Sequence, residues 1–257
     1  MSKTVFITGA SSGLGRALAH AYAMQGFTLG LLGRRQDSLQ QLAEELGTTS
    51  HIYVADVCDR QAVHEAATDF LQRTQGRIDV VIASAGISVG VLTQELSDYE
   101  VAERVIQTNV MGMWATFEAF VPAMRNQGFG TLVGIASVAG IRGLPGAGAY
   151  SASKAAVIAY CESLRLELHE YGVRVVTISP GYIRTAMTAK NPYSMPFLLP
   201  ADEFAKRAQR HIESGKSYVV IPWPMGIVGK LMRLLPNCVY DRLARGAPRK
   251  PRQYPQK

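Results

Sequence analysis

The stretch that most restricts what this chain can fold into lies near its start. The β-branched and aromatic run Val5-Phe6-Ile7 passes straight into Thr8-Gly9-Ala10-Ser11-Ser12-Gly13-Leu14-Gly15, and a helical pattern follows over residues 16–25. Strand, glycine loop and helix in that order make a unit whose loop can cradle a phosphate. Glycines let the backbone approach a pyrophosphate and adopt positive φ, and a helix start offers unpaired N–H groups with a partial positive charge. Gly9, Ser11, Ser12, Gly13, Leu14 and Gly15 are therefore candidate nucleotide contacts. Taken alone, the same loop also suits a tight turn with no ligand.

A second feature gives the loop its meaning. Ala149-Tyr150-Ser151-Ala152-Ser153-Lys154 places a phenol and an ammonium four residues apart at the start of a helical pattern. One helical turn separates them, so they share a face. Val157, Cys161, Leu164 and Leu168 continue that face, which predicts that Tyr150 and Lys154 point inward. A buried lysine costs free energy unless it is satisfied, and a tyrosine beside a cation is expected to have its pKa drawn down from about 10. Such a tyrosine is a proton donor tuned toward neutral pH. A chance Tyr-x-x-x-Lys on an amphipathic helix is the competing reading.

The loop is spaced Gly-x-x-x-Gly-x-Gly, and with Tyr150 and Lys154 it resembles the classical short-chain dehydrogenase/reductase family. Thr8, Gly9, Gly13 and Gly15 fill that family's Thr-Gly-x-x-x-Gly-x-Gly motif. Asn109, Ser137, Tyr150 and Lys154 match its four catalytic positions, and Pro180-Gly181 matches the pair after its sixth strand. The resemblance implies an α/β fold: a single doubly wound, Rossmann-type domain with a seven-stranded parallel sheet flanked by helices. Apolar runs at residues 5–7, 28–32, 52–55, 80–83, 131–136, 173–179 and 218–221 supply the strands. Ala83-Ser84-Ala85-Gly86 takes the place of the family's Asn-Asn-Ala-Gly; the loss of both asparagines puts their hydrogen bonds across the sheet in doubt, while the backbone contacts of Ala85 and Gly86 are kept.

Carried over residue by residue, the resemblance implies an oxidoreductase that moves hydride between a nicotinamide and a carbonyl or alcohol carbon. Tyr150 would give its proton to the carbonyl oxygen and Ser137 would hold that oxygen. Lys154 would lower the tyrosine pKa and bind the nicotinamide ribose, and Asn109, in a helix expected over residues 98–125 that it distorts, would keep a proton relay. Pro180, Gly181 and Ile183 would meet the nicotinamide, Thr185 would close over the pyrophosphate, and Asp56 and Val57 would touch the adenine. Asp56 also reads as a helix cap. The second strand ends in Gly33-Arg34-Arg35, where an NAD enzyme would carry an acid. Two guanidiniums suit a 2′-phosphate instead, which predicts NADP(H). A solvated helix face is the alternative for Arg34 and Arg35. Two rival functions remain: a β-ketoacyl thioester reductase, and a non-catalytic NADP(H)-binding regulator, against which the intact Ser-Tyr-Lys set argues.

Residues 186–199 break the pattern and resemble the family's substrate lid. Met187, Met195, Phe197, Leu198 and Leu199, with Arg184 and Lys190 as the cations, predict an apolar carbonyl substrate. Residues 1–224 read as the dinucleotide-binding and catalytic domain, and 225–257 as an amphipathic helix with a basic tail. Ile227, Val228, Leu231, Met232, Leu234 and Leu235 form one apolar arc, with Lys230 and Arg233 opposite. Residues 230–257 hold eight Lys or Arg against Asp241, a balance of +7, so the net charge of +7 lies wholly in the tail. Such a tail suits a membrane surface; a helix packed on its own domain or a dimer mate, with a solvated tail, is the other reading. No apolar run is long enough to cross a bilayer, the first residues leave no room for a signal peptide, and Cys58, Cys161 and Cys238 lack metal-ligand spacing. The expectations are a cytoplasmic homodimer or homotetramer, without metal or nucleic-acid partner, touching a membrane peripherally if at all.

Overall fold

Burial on both faces decides which runs become strands. The computed structural model describes residues 2–189 and 191–252, so Lys190 and Lys257, counted above among the lid and tail cations, lie outside it. The strands are β1 (Thr4–Thr8), β2 (Thr28–Gly33), β3 (Ser50–Val54), β4 (Val80–Ala83), β5 (Gly130–Ile135) and β6 (Val173–Pro180). A two-residue pair, β7 (Ile183–Arg184) with β8 (Leu199–Pro200), stands apart, and β9 (Tyr218–Ile221) completes the main sheet. The seven sheet strands run parallel in the order β3-β2-β1-β4-β5-β6-β9. This is the doubly wound α/β fold that the motifs implied.

The helices are α1 (Gly13–Ala23), α2 (Gln36–Leu46), α3 (Arg60–Arg73), α4 (Tyr99–Ile106), α5 (Gly112–Gln127), α6 (Gly148–Glu167), α7 (Ala201–Glu213), α8 (Trp223–Leu234) and α9 (Asn237–Ala244). Alternate strand residues feed two cores. Val5 and Ile7 join Leu18, Tyr22, Leu39 and Phe204 under α1, α2 and α7. Phe6 points the other way, to Phe70, Phe117, Phe120, Val157 and Leu164 under α3, α5 and α6. With helices on both faces, both sets of alternate residues are mostly apolar, which is why the strands read as near-continuous apolar runs, with small hydroxyls such as Thr8, Thr131 and Thr177 buried among them. Phe6 packs with its centroid 5.4 Å from Phe70 and 4.8 Å from Phe120; truncation to Ala there costs about 3–5 kcal/mol.

Four elements differ from the sequence reading. The helix expected over residues 98–125 is split into α4, a π turn at Gln107–Met111 and α5. The π turn carries Asn109 inward, and Gly112 then lets α5 lie against Val57, where a Cβ would come within 2.6 Å of Val57 Cγ2. α7 and α9 are absent from that reading altogether. In α8 the apolar arc does not pack on the domain: Met225 and Gly229 are buried, whereas Ile227, Val228, Leu231 and Leu234 are exposed.

The strand order reverses between β1 and β4, and the crevice beyond their carboxyl ends is where this architecture places ligands.

Candidate active site

The loop after β1 is shaped for close approach. Gly9 (φ +69°) leaves no space for a side chain, since a Cβ would lie 2.8 Å from Ala85 N and Cα, and at Gly15 it would lie 2.4 Å from Gly9 O. The loop therefore folds tightly between β4 and the start of α1, whose Ser12 N-cap uses no side-chain hydrogen bond. Gly13, Leu14 and Gly15, at the start of α1 where backbone N–H groups lack helical acceptors, line a cleft of about 350 Å³. Every candidate nucleotide contact lines it: Gly9, Ser11, Ser12, Gly13, Leu14, Gly15, Arg34, Arg35, Asp56, Val57, Ala85, Gly86, Tyr150, Lys154, Pro180, Gly181, Ile183 and Thr185. Ser137 lines it as well, and Asn109 stands behind its wall.

At one end Ser137, Tyr150 and Lys154 converge. The Ser137 hydroxyl accepts from Ala139 N at 3.2 Å and lines the cleft together with the Tyr150 side chain. Lys154, 5% exposed, donates from Nζ to the Ile135 carbonyl at 2.7 Å. Burial with no carboxylate at hand pushes the lysine down to about 8. Burial also pushes the Tyr150 phenol up, with the neighbouring Ser137 hydroxyl pulling back. The expected lowering of the tyrosine by its lysine is thus reversed in this structure. The ammonium bonds the end of β5 and lies 5.9 Å from the ring centroid, so desolvation outweighs charge.

Behind the wall, Asn109 is fully buried and clasped. Its Oδ1 accepts from Ile87 N at 2.8 Å, and its Nδ2 donates to Ile87 O and to Ser153 Oγ at 3.0 Å each. Ser153 in turn donates to the Tyr150 carbonyl at 2.7 Å. Ser153 was not among the sequence candidates, although it sits one residue before Lys154; it ties the π turn to α6. Gly86 lies against the same group, since a Cβ there would reach Asn109 Oδ1 at 3.2 Å and Lys154 Nζ at 3.5 Å.

At the other end Arg35 Nη2 donates to Ser11 O at 3.1 Å, and Arg34 Nη1 lies 3.5 Å from Asp56 Oδ2. Asp56 does not cap α3; Asp59 does, accepting from Ala62 N. Asp56 Oδ1 instead accepts from Cys58 N. Burial alone would raise the Asp56 carboxyl, but the Cys58 N–H and the Arg34 guanidinium hold it below its usual value. So a carboxylate absent after β2 arrives from the end of β3.

A model of the family described as short chain dehydrogenase matches residues 3–195. This chain belongs to the short-chain dehydrogenase family. An uncharacterized oxidoreductase of Myxococcus xanthus is 38% identical to it over 246 residues, 95% of this chain and 96% of the relative. An alcohol dehydrogenase from Thermococcus sibiricus, complexed with 5-hydroxy-NADP, superposes with a TM-score of 0.78 at 29% identity, covering 86% of this chain and 96% of that one. A 3-ketoacyl-ACP reductase from Sinorhizobium meliloti superposes with a TM-score of 0.77 at 29% identity, covering 88% and 99%.

As a short-chain dehydrogenase the protein is an oxidoreductase of a family that binds a nicotinamide cofactor and acts on small molecules. The residues present fit that cofactor, because the cradle is closed to any Cβ at Gly9 and Gly15 and the start of α1 lines the cleft. The missing asparagines are partly replaced: Thr8 Oγ1 accepts from Ala85 N at 3.4 Å, joining β1 to the loop after β4. Ser84 makes no side-chain hydrogen bond among the described residues.

The tail reaches the same neighbourhood. Arg252 donates from Nε and Nη2 to the two carboxylate oxygens of Asp98 at 2.9 Å each, and Asp98 also accepts from Leu92 N. Lys250 Nζ donates to Ser88 Oγ at 2.8 Å, and Gly90 N donates to Pro251 O. This end of the basic tail is a strap over the loop that follows Gly86 and Ile87, which corrects the picture of a solvated tail.

Proposed function

We propose that this short-chain dehydrogenase uses NADP(H) to reduce the carbonyl of an apolar substrate, with Tyr150 as general acid. The observation that carries the reading is that Ser137, Tyr150 and the buried Lys154 line one cleft with Arg34 and Arg35. The loop over residues 9–15 would hold the pyrophosphate. Arg34 and Arg35 would take the 2′-phosphate, since two guanidiniums against Asp56 leave that end positive. Pro180, Gly181 and Ile183 would hold the nicotinamide, Thr185 would close over the pyrophosphate, Asp56 and Val57 would touch the adenine, and Ala85 and Gly86 would give backbone contacts. When bound, the reduced nicotinamide supplies the hydride to the carbonyl carbon.

The chain's own groups handle the proton. Ser137 and Tyr150 would both donate to the carbonyl oxygen, and burial keeps the phenol in its protonated, donor form. The phenolate left behind is stabilised by the Lys154 ammonium, which also binds the ribose. Both Asn109 Nδ2 donors are used, but one Oδ1 acceptor site is left for the relay.

Apolar specificity is supported by Met187 on the cleft and by the Tyr182–Tyr193 ring pair, 6.3 Å between centroids. The likeness to a 3-ketoacyl-ACP reductase supports a second reading, reduction of a β-ketoacyl thioester. The proposal includes a cytoplasmic homodimer or homotetramer, a catalytic unit over residues 1–224, and a C-terminal extension over 225–257 in peripheral contact with a membrane.

The test is NADPH oxidation against long-chain ketones, steroids, sugars and β-ketoacyl thioesters. Tyr150→Phe should lose about 10²–10⁴ in kcat while still binding NADPH. Full turnover by that variant would overturn the mechanism, and preference for sugars would overturn the substrate class.

A further inference from the structure

α8 is turned the wrong way round for a helix that only covers its own domain. Its inner side is short: Met225 packs on Gly181, and at Gly229 a Cβ would come 2.7 Å from Ile141 Cδ1. On the opposite side Trp223, Ile227, Leu231 and Leu234 fall within an arc of about 80°. They are 68%, 51%, 59% and 80% exposed. α9 adds the exposed Val239 and Leu243.

The charges beside this patch have one sign. Lys230, Arg233, Arg242 and Arg245 are exposed, and Asp241 is the sole acid from residue 223 to 252. The strap engages Lys250 and Arg252 elsewhere, so these four cations are the ones that accompany the apolar stripe. A second copy meeting the patch by two-fold symmetry would bring the same cations together. A layer of anionic head groups over hydrocarbon matches both the stripe and the charge, and suits a tryptophan at its edge.

The patch is fastened to the substrate end of the cleft. Arg142 donates to Arg233 O at 3.3 Å and to Asn237 Oδ1 at 2.9 Å, its guanidinium lies 4.3 Å from the Tyr240 ring centroid, and the Tyr240 hydroxyl donates to Gly143 O. That loop follows Ser137, and Gly181, beneath Met225, lines the cleft.

We propose that α8 and α9 form a docking face for an anionic bilayer surface, which sets the substrate end of the cleft beside the lipid. Entry of substrate from the bilayer rests on the apolar-carbonyl reading; docking itself does not.

Sedimentation of the full chain with phosphatidylcholine vesicles, with and without phosphatidylglycerol, tests this. The protein should pellet with the anionic vesicles, stay largely in solution with phosphatidylcholine alone, and be released by salt. Leu231→Glu with Leu234→Glu should abolish pelleting while NADPH binding and melting temperature are kept. Reversing Lys230, Arg233 and Arg242 to Glu should weaken partitioning by on the order of a hundredfold or more. No pelleting, pelleting indifferent to lipid charge, or light scattering in which the Leu231/Leu234 pair of changes splits an oligomer would each overturn the proposal. Failure of the reductase reading is distinguishable: it is loss of turnover on every ketone tried, with vesicle binding intact.

Discussion

Lys154 is buried against the Ile135 carbonyl, and this gives the apo protein a pH signature. The folded state releases the lysine proton near 8, whereas the unfolded chain holds it to about 10.5. Between those values the unfolded state binds more protons, so stability from this group rises with pH. Melting temperatures of the unmodified protein minus those of Lys154→Met should therefore grow from pH 8 to 10; a flat difference would contradict the burial argument. At the other end of the cleft, Arg34→Ala and Arg35→Ala should each weaken NADPH by about 1.5–3 kcal/mol and leave NADH nearly unchanged. Fluorescence titration decides this, and equal affinity of the unmodified protein for both cofactors would sink the NADP(H) assignment. At this scale the site was legible because its chemistry sits in adjacent or helically spaced residues, such as Tyr150 with Lys154. Ser153 and the approach of Asp56 to Arg34 were not, since each depends on a partner from another element.

Among the elements, the strap has the most direct consequence for the site. Asp98 is 4% exposed and is held below its usual pKa first by Arg252 and then by the Leu92 N–H. Its loop runs back through Ser88 to Ile87, which clasps Asn109. Arg252→Ala should lower the melting temperature and raise proteolysis of residues 88–98. Because a lowered carboxyl stabilises above its unfolded value and loses that contribution on acidification, the difference between the two proteins should shrink as pH falls below about 4. A variant indistinguishable from the unmodified protein at pH 7 would show that the strap does not hold the loop. No local pattern announces such a contact, as residues 98 and 252 are far apart in the chain. The π turn is similar: a mid-helix Asn is unfavourable and so noticeable, but its geometry comes from Ile87 and Ser153.

For the whole molecule, the exposed faces of α5 and α6 bear on assembly. Trp114 is stacked on Tyr160 at 4.5 Å between centroids yet remains 48% exposed, and Leu166 on α6 is exposed too. Light scattering at micromolar concentration should report a homodimer or homotetramer, and Trp114→Lys should weaken it. A monomer would overturn this.

The strand runs, the glycine loop, the Tyr150–Lys154 spacing and the arginines after β2 were determined by the sequence alone. Each is a local pattern whose period or spacing follows from backbone geometry and from burial on both sheet faces. Tertiary structure decided the rest: that Lys154 turns to a carbonyl and leaves the phenol raised, that α8 presents its apolar arc to solvent, and that the end of the tail folds back on Asp98. These outcomes depend on desolvation and on partners distant in sequence, and spacing along one chain carries no information about which distant group arrives first.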